Sequence, residues 1–196
     1  MAIYLLEIIV IAFLGLLTNN KKRHNSDKLF CIAAFAVVII VAGLRKYTIG
    51  IDLEGQYARM YSVIGEMNWS SIFQLRYEPG YSIFCKLLSY ISKDQQFFIF
   101  ATSFICYGAI GRFIYQNSED VRLSTLLFIM CNFMFTYMNV IRQALAVAII
   151  LFGIDFVKKR QYVRFAAIIL LASSFHTSAL IASLMIIFSI IGYKRK

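Results

Sequence analysis

The sequence predicts an all-α, polytopic membrane protein with about seven transmembrane helices and one long extracytoplasmic loop that carries an amphipathic helix. Three observations point there. The 196 residues are 60% hydrophobic and 15% charged, with a mean hydropathy of +0.71, where a soluble domain is nearer half apolar and a quarter charged. The apolar residues fall in runs close to the roughly 20 residues that span a bilayer. The net charge of +10 sits between those runs: Lys21, Lys22, Arg23 and Lys28 form one basic cluster, Lys158, Lys159, Arg160 and Arg164 a second, and Lys194, Arg195 and Lys196 a third. These hold eleven of the 20 basic residues with Asp27 as the one acid among them. Charge arranged this way is the positive-inside signature, not a face for nucleic acid.

In chain order, residues 2–17 make the first span, 29–44 the second and 97–115 the third. The stretch 123–157 is too long for one crossing and breaks around Asn139 to Arg142, giving a fourth and a fifth. Residues 163–193 hold a short sixth and seventh, or a re-entrant hairpin, turning near His176. With the first basic cluster cytoplasmic, seven crossings place the other two clusters on the same side, the N-terminus outside and the C-terminus inside. Residues 81–92 are therefore not a crossing. Ile83, Phe84, Leu87, Leu88 and Ile91 recur at helical spacing opposite Ser82, Lys86 and Ser89, which predicts an amphipathic surface helix. The first run has its basic residues after the apolar stretch, unlike a cleaved signal peptide.

The organisation expected is one transmembrane domain over 1–196 with an outer loop at 45–96. That loop carries six basic and five acidic residues and the only Trp, Trp69, so it is the expected carrier of function. Neither internal repeats nor low-complexity stretches are present. Cys31, Cys85, Cys106 and Cys131 show no metal-ligand spacing and read as small core residues. No P-loop, GxGxxG or HExxH occurs, so neither a nucleotide nor a metal site is expected. Asn68-Trp69-Ser70 matches a glycosylation sequon, but Trp69 reads as an interface anchor. His24 reads as a solvated loop residue.

Several polar residues are out of place in a lipid-facing helix. Arg142 opens the fifth span beside Thr136, Asn139 and Gln143. An arginine there is costly unless paired or wet, which leaves an ion pair with Asp52, Glu54 or Glu78, or a fork for phosphate or carboxylate. His176 is either a capping residue or part of a site. Glu7, inside the first span, is expected to snorkel or to pair with an arginine, and Asp155 to pair with Lys158 and Lys159. In the outer loop, Arg45, Tyr47, Gly50 and Asp52 follow the second span, with Tyr57 beyond. Arg76, Tyr77, Glu78, Pro79, Gly80 and Tyr81 lead into the surface helix, with Pro79 suited to its first turn and Glu78 to its cap. Arg45, Asp52, Glu78, Arg142 and His176 lie on four separate segments yet fall at one face of the membrane, which argues for a site.

Four stretches in this order resemble the EpsG family of bacterial exopolysaccharide proteins, relatives of the Wzy-type O-antigen and capsule polymerases. They are Leu44-Arg45 with Gly50, Asp52 and Tyr57; Tyr77 to Tyr81; Asn139 to Ala146; and Ser174 to Leu180. The resemblance covers nearly the whole chain and corresponds to the N-terminal part of longer members. It implies a polymerase at the outer face of the bacterial plasma membrane, joining oligosaccharide repeat units carried on undecaprenyl pyrophosphate. Arg142 and Arg45 would then bind the pyrophosphate, with Gln143 beside them, and Asp52, Glu78 or His176 would act as general base. The outer Tyr residues, Tyr57, Tyr77 and Tyr81 among them, and Trp69 would offer faces to sugar rings. No cofactor or metal is implied. The expected partners are the lipid-linked oligosaccharide, the bilayer and other membrane proteins of polysaccharide assembly. The readings set beside this one are a non-catalytic transporter or accessory subunit, a sugar acyltransferase using His176, and an inactive remnant.

Overall fold

The computed structural model describes residues 2–18, 23–50 and 52–193, and among these the regular structure is entirely helical. Lys21, Lys22 and residues 194–196, which belong to two of the three basic clusters, lie outside the described residues, as do the side chains of His24 and Glu54. The elements are α1 (Ala2–Leu17), α2 (Arg23–Gly43), a π-helical turn (Leu53–Ala58), α3 (Arg59–Glu66), α4 (Trp69–Ile72), α5 (Pro79–Ser89) and α6 (Gln95–Asn117). There follow α7 (Val121–Met130), α8 (Phe133–Asn139), α9 (Ile141–Lys158), α10 (Tyr162–Ser173), a 3₁₀ turn (Thr177–Ala182) and α11 (Ser183–Tyr193).

Two of these, α2 and α6, are long and apolar enough to cross a membrane, and α7 with α8 makes a third if that pair, bent by 55°, is one span. Helix α9 has the length but carries Arg142, Asp155 and Lys158; α1, α10 and the last apolar stretch are shorter than a full span. The bend in α7–α8 has a local cause. Asn132 adopts a left-handed conformation (φ 67°), which asparagine tolerates better than most residues.

Two cores organise the chain. One is built by Ile11 of α1, Phe30, Phe35 and Val38 of α2, Tyr107 and Ile110 of α6, Phe128 of α7, and Met134 and Met138 of α8. The second belongs to the segment between α2 and α6. Leu53, Tyr57, Tyr61, Ile64, Tyr81 and Cys85 pack against Phe98, Ile99, Ile141 and Leu145, so residues 52–89 are a folded layer seated on the N-terminal halves of α6 and α9. Large apolar side chains such as Leu5, Phe13, Ile32, Phe104, Leu127, Leu171 and Phe188 stay exposed. A soluble monomer rarely shows so much apolar surface, whereas lipid covers it in a membrane.

Three expectations about side chains are corrected. In α5 the polar face is the buried one: Ser82, Lys86 and Ser89 are covered while Leu87 and Ile91 are exposed. The Lys86 ammonium donates to the carbonyls of Gly65 at 3.0 Å and Met67 at 2.7 Å, satisfying the open end of α3. The amphipathic helix exists, but its polar side is solvated by protein and not by water. Asp155 pairs with Arg112 of α6 at 3.8 Å, not with its helical neighbours, and Lys158 reaches Asn117 instead. Glu7 is buried, and neither carboxylate oxygen has a hydrogen-bond partner among the described residues, so it neither snorkels nor pairs.

Candidate functional site

Glu78 stands immediately before α5 in extended backbone (φ −61°, ψ 141°), the conformation that a residue preceding proline favours. Pro79 fills the first helical position, as expected. The Glu78 side chain does not cap the helix. Its Oε2 accepts a hydrogen bond from Arg142 Nη1, and its Oε1 lies 3.1 Å from His176 Nδ1. One carboxylate thus joins the start of α9 to the turn that follows α10. Of the partners open to Arg142 in the sequence, Glu78 is the one it takes among the described residues.

The backbone holds this arrangement in place. The Tyr81 N–H donates to the Ser174 carbonyl at 3.2 Å, docking the first turn of α5 on the segment that ends two residues before His176. Gly80 is needed for that approach, since a Cβ there would lie 2.1 Å from Ser174 Oγ and 2.7 Å from its carbonyl oxygen. His176 sits in extended backbone between α10 and the 3₁₀ turn, with its N–H bonded to Ala172 O at 3.1 Å. Arg142 enters the cluster where α8 stops and α9 begins, at Val140 (φ −93°, ψ 60°).

Aromatic rings complete the wall. The Arg142 guanidinium lies 5.0 Å from the Tyr77 ring centroid and 6.0 Å from that of Tyr57, within cation–π range. The Tyr81 ring meets Tyr77 and Tyr57 edge to face at 5.6 and 6.1 Å. The side chains of Glu78, Arg142 and His176 are 15%, 20% and 27% exposed, which leaves the cluster partly desolvated but reachable. Burial opposes the charge of Glu78, yet its backbone hydrogen bond, Arg142 and His176 outweigh burial and hold the carboxyl below its ordinary pKa. Arg142 Nε is buried with no hydrogen-bond partner among the described residues.

The remaining candidates are distributed around this cluster. Arg45 is buried, and it donates to the carbonyls of Ala42 at 2.7 Å and Met138 at 2.9 Å. It ties the end of α2 to the end of α8, and no bond joins it to Glu78, Arg142 or His176 among the described residues. Gly50, at φ +127°, lets the following loop pass close to Asn139. Asp52 is half-buried at the start of the π-helical turn and makes no capping bond. Tyr57 is buried beside Arg142, and Tyr81 is fully buried, so its ring face is covered. Gln143 is exposed, roughly 100° around α9 from Arg142. Trp69 is partly exposed, its indole N–H donating to the Tyr90 hydroxyl at 3.0 Å. Tyr77, one of the outer tyrosines, faces the Arg142 guanidinium, and Ser174 joins the site through its backbone carbonyl, a role that no side-chain pattern signals. Among the described residues no group of three His, Cys, Asp or Glu side chains is placed to hold a metal ion. Cys31, Cys85 and Cys106 are buried and Cys131 exposed, all as free thiols.

The fold and this cluster define a helical membrane protein with a carboxylate–imidazole–guanidinium site beneath a folded loop layer. A family model matches residues 28–196, and the chain belongs to the EpsG family. No curated protein and no solved structure matches it.

Proposed function

We propose that the chain polymerises oligosaccharide repeat units carried on undecaprenyl pyrophosphate, at the outer face of the bacterial plasma membrane, in exopolysaccharide, capsule or O-antigen synthesis. In this reading the chain crosses the membrane about seven times with its N-terminus outside, and residues 45–96 form the outer layer over the site. The observation that carries it is the double engagement of Glu78 by Arg142 and His176.

The chemistry follows from the arrangement. A carboxyl held below its ordinary pKa is a weak base, so Glu78 serves better to orient a neighbour than to take a proton. Bonded through Nδ1–H to Glu78, His176 has Nε2 free to accept the proton of an acceptor hydroxyl, and the carboxylate stabilises the imidazolium that forms. The acceptor oxygen forms the new glycosidic bond at the anomeric carbon of the donor. The bond from that carbon to the pyrophosphate oxygen breaks, and the electron pair leaves with the lipid pyrophosphate. Arg142, whose fork matches phosphate oxygens, receives that charge, with Tyr57 and Tyr77 fixing its plane. Arg45, buried against the carbonyls of Ala42 and Met138, ties α2 to the end of α8, just before α9 carries Arg142 into the site.

Complementation tests this. Expressed in a host that lacks its own polymerase, the intact chain is expected to give a ladder of long lipid-linked glycans and Arg142→Ala only single repeat units. An unchanged ladder from Arg142→Ala, at normal membrane levels, overturns the reading. Single units from both forms point to a transport or accessory role.

A further inference from the structure

Away from the Glu78 cluster, α2 and α6 form the most extensive helix pair in the fold, and beside their contact runs a cavity of about 430 Å³. Its wall is apolar, with Phe35 and Ile39 from α2 and Phe104 and Gly108 from α6, and its polar lining is gathered at one end, where Lys28 and Arg112 stand. Ile32 and Phe104, on its edges, are exposed. The volume lies in the usual range for a small-molecule site, roughly 300–1,000 Å³.

We propose that this groove binds an anionic glycerophospholipid, with an acyl chain along Phe35, Ile39 and Phe104 and the phosphodiester between Lys28 and Arg112. An apolar trough with cations at one end has the charge and polarity pattern of such a lipid laid parallel to two spanning helices. Lys28 is exposed. Among the described residues Arg112 meets Asp155 at 3.8 Å and the face of Phe152 at 5.2 Å, contacts that use few of its five N–H donors. Asp155 keeps the net charge of that end modest, which suits one phosphate better than a pyrophosphate. The end lies far from the reaction site: α9 runs from Arg142 to Asp155 over about 20 Å. On the topology proposed above it faces the cytoplasmic leaflet. The lipid is therefore a separate ligand, not the glycan donor.

The groove has a built-in control. A Cβ at Gly111 would strike Phe35 at 2.7 Å, whereas one at Gly108 would meet nothing within 4 Å. Gly108→Phe should therefore fill the groove without disturbing the α2–α6 contact. The test uses the purified full chain in nanodiscs of mixed phosphatidylglycerol and phosphatidylcholine, with retained lipid counted by native mass spectrometry after detergent exchange. Phosphatidylglycerol is expected to be retained preferentially, Gly108→Phe to abolish the preference, and Lys28→Gln to weaken it about fivefold, the effect of one basic residue at a lipid surface. The melting temperature of Gly108→Phe in detergent should stay at the wild-type value, which separates groove filling from misfolding. Equal retention of both lipids, retention unchanged by Gly108→Phe, or a dimer that Gly108→Phe dissociates would overturn the proposal.

Discussion

Glu78 Oε1 lies 3.1 Å from His176 Nδ1, a contact between residues 98 apart in the chain. It joins the residue before α5 to the turn after α10, and Arg142 holds the other oxygen of the same carboxylate. The account of the site rests on that shared carboxylate.

Arg142 carries the charge argument. Arg142→Ala is expected to lower glycan polymerisation by about 10²–10³-fold, the scale for losing one preorganised donor to a developing anion. Arg142→Lys should recover little of it, because an ammonium has no fork and stacks poorly on Tyr57 and Tyr77. Rates of chain elongation from purified lipid-linked units, normalised to inserted protein, check this.

Acid should loosen the cluster. Because the folded-state pKa of Glu78 is depressed, its ionisation contributes stability that is complete above the ordinary glutamate value of about 4.3 and is lost as pH falls through the lower folded value. The gap in melting temperature between wild type and Glu78→Gln should be widest near neutrality and should close below pH about 4. Thermal unfolding in detergent across that range measures it, and a gap that stays constant would show that the Glu78 charge is not involved.

Gly80→Ala should displace Glu78 without touching it. The added methyl collides with Ser174, and such overpacking costs roughly 1–3 kcal/mol. Polymerisation should drop while membrane insertion is preserved. Ser174→Gly, which removes the hydroxyl nearest the new methyl, should restore part of the loss.

Lys86→Met should destabilise the outer layer. It keeps the buried stem but leaves the carbonyls of Ile64, Gly65 and Met67 without their donor, at about 1–3 kcal/mol. Proteolysis between residues 59 and 78 should become faster than in the wild type, and a protease pattern unchanged by the substitution would place the cap elsewhere.

The sequence was most readable where hydropathy alone decides structure. Helix α1 covers the same residues as its apolar run, 2–17, and the break before Arg142 was visible as polar residues inside an apolar stretch. Helix α2 starts six residues before its apolar run because a polar turn can be helical without being hydrophobic. The bend at Asn132 depends on one backbone angle that composition does not encode. The reversal of α5 escaped for a related reason. Periodicity shows that Lys86 and Leu87 lie on different faces, but not which face meets protein when water is only one of three available surroundings. Parity gives only the expectation that site residues on separate segments share one membrane face. Which of them touch was a tertiary question, and the answer kept Glu78, Arg142 and His176 together while setting Arg45 and Tyr81 into the framework.

The most direct test of the central claim compares Glu78→Gln, His176→Gln and the double variant for the elongation rate of lipid-linked glycans, with inserted protein quantified. If the carboxylate acts through the imidazole, the single His176 change should cost about 10²–10⁴-fold, and the double variant should be no slower than His176→Gln alone. Losses that multiply in the double variant, or a His176→Gln protein that elongates at the wild-type rate, would contradict it.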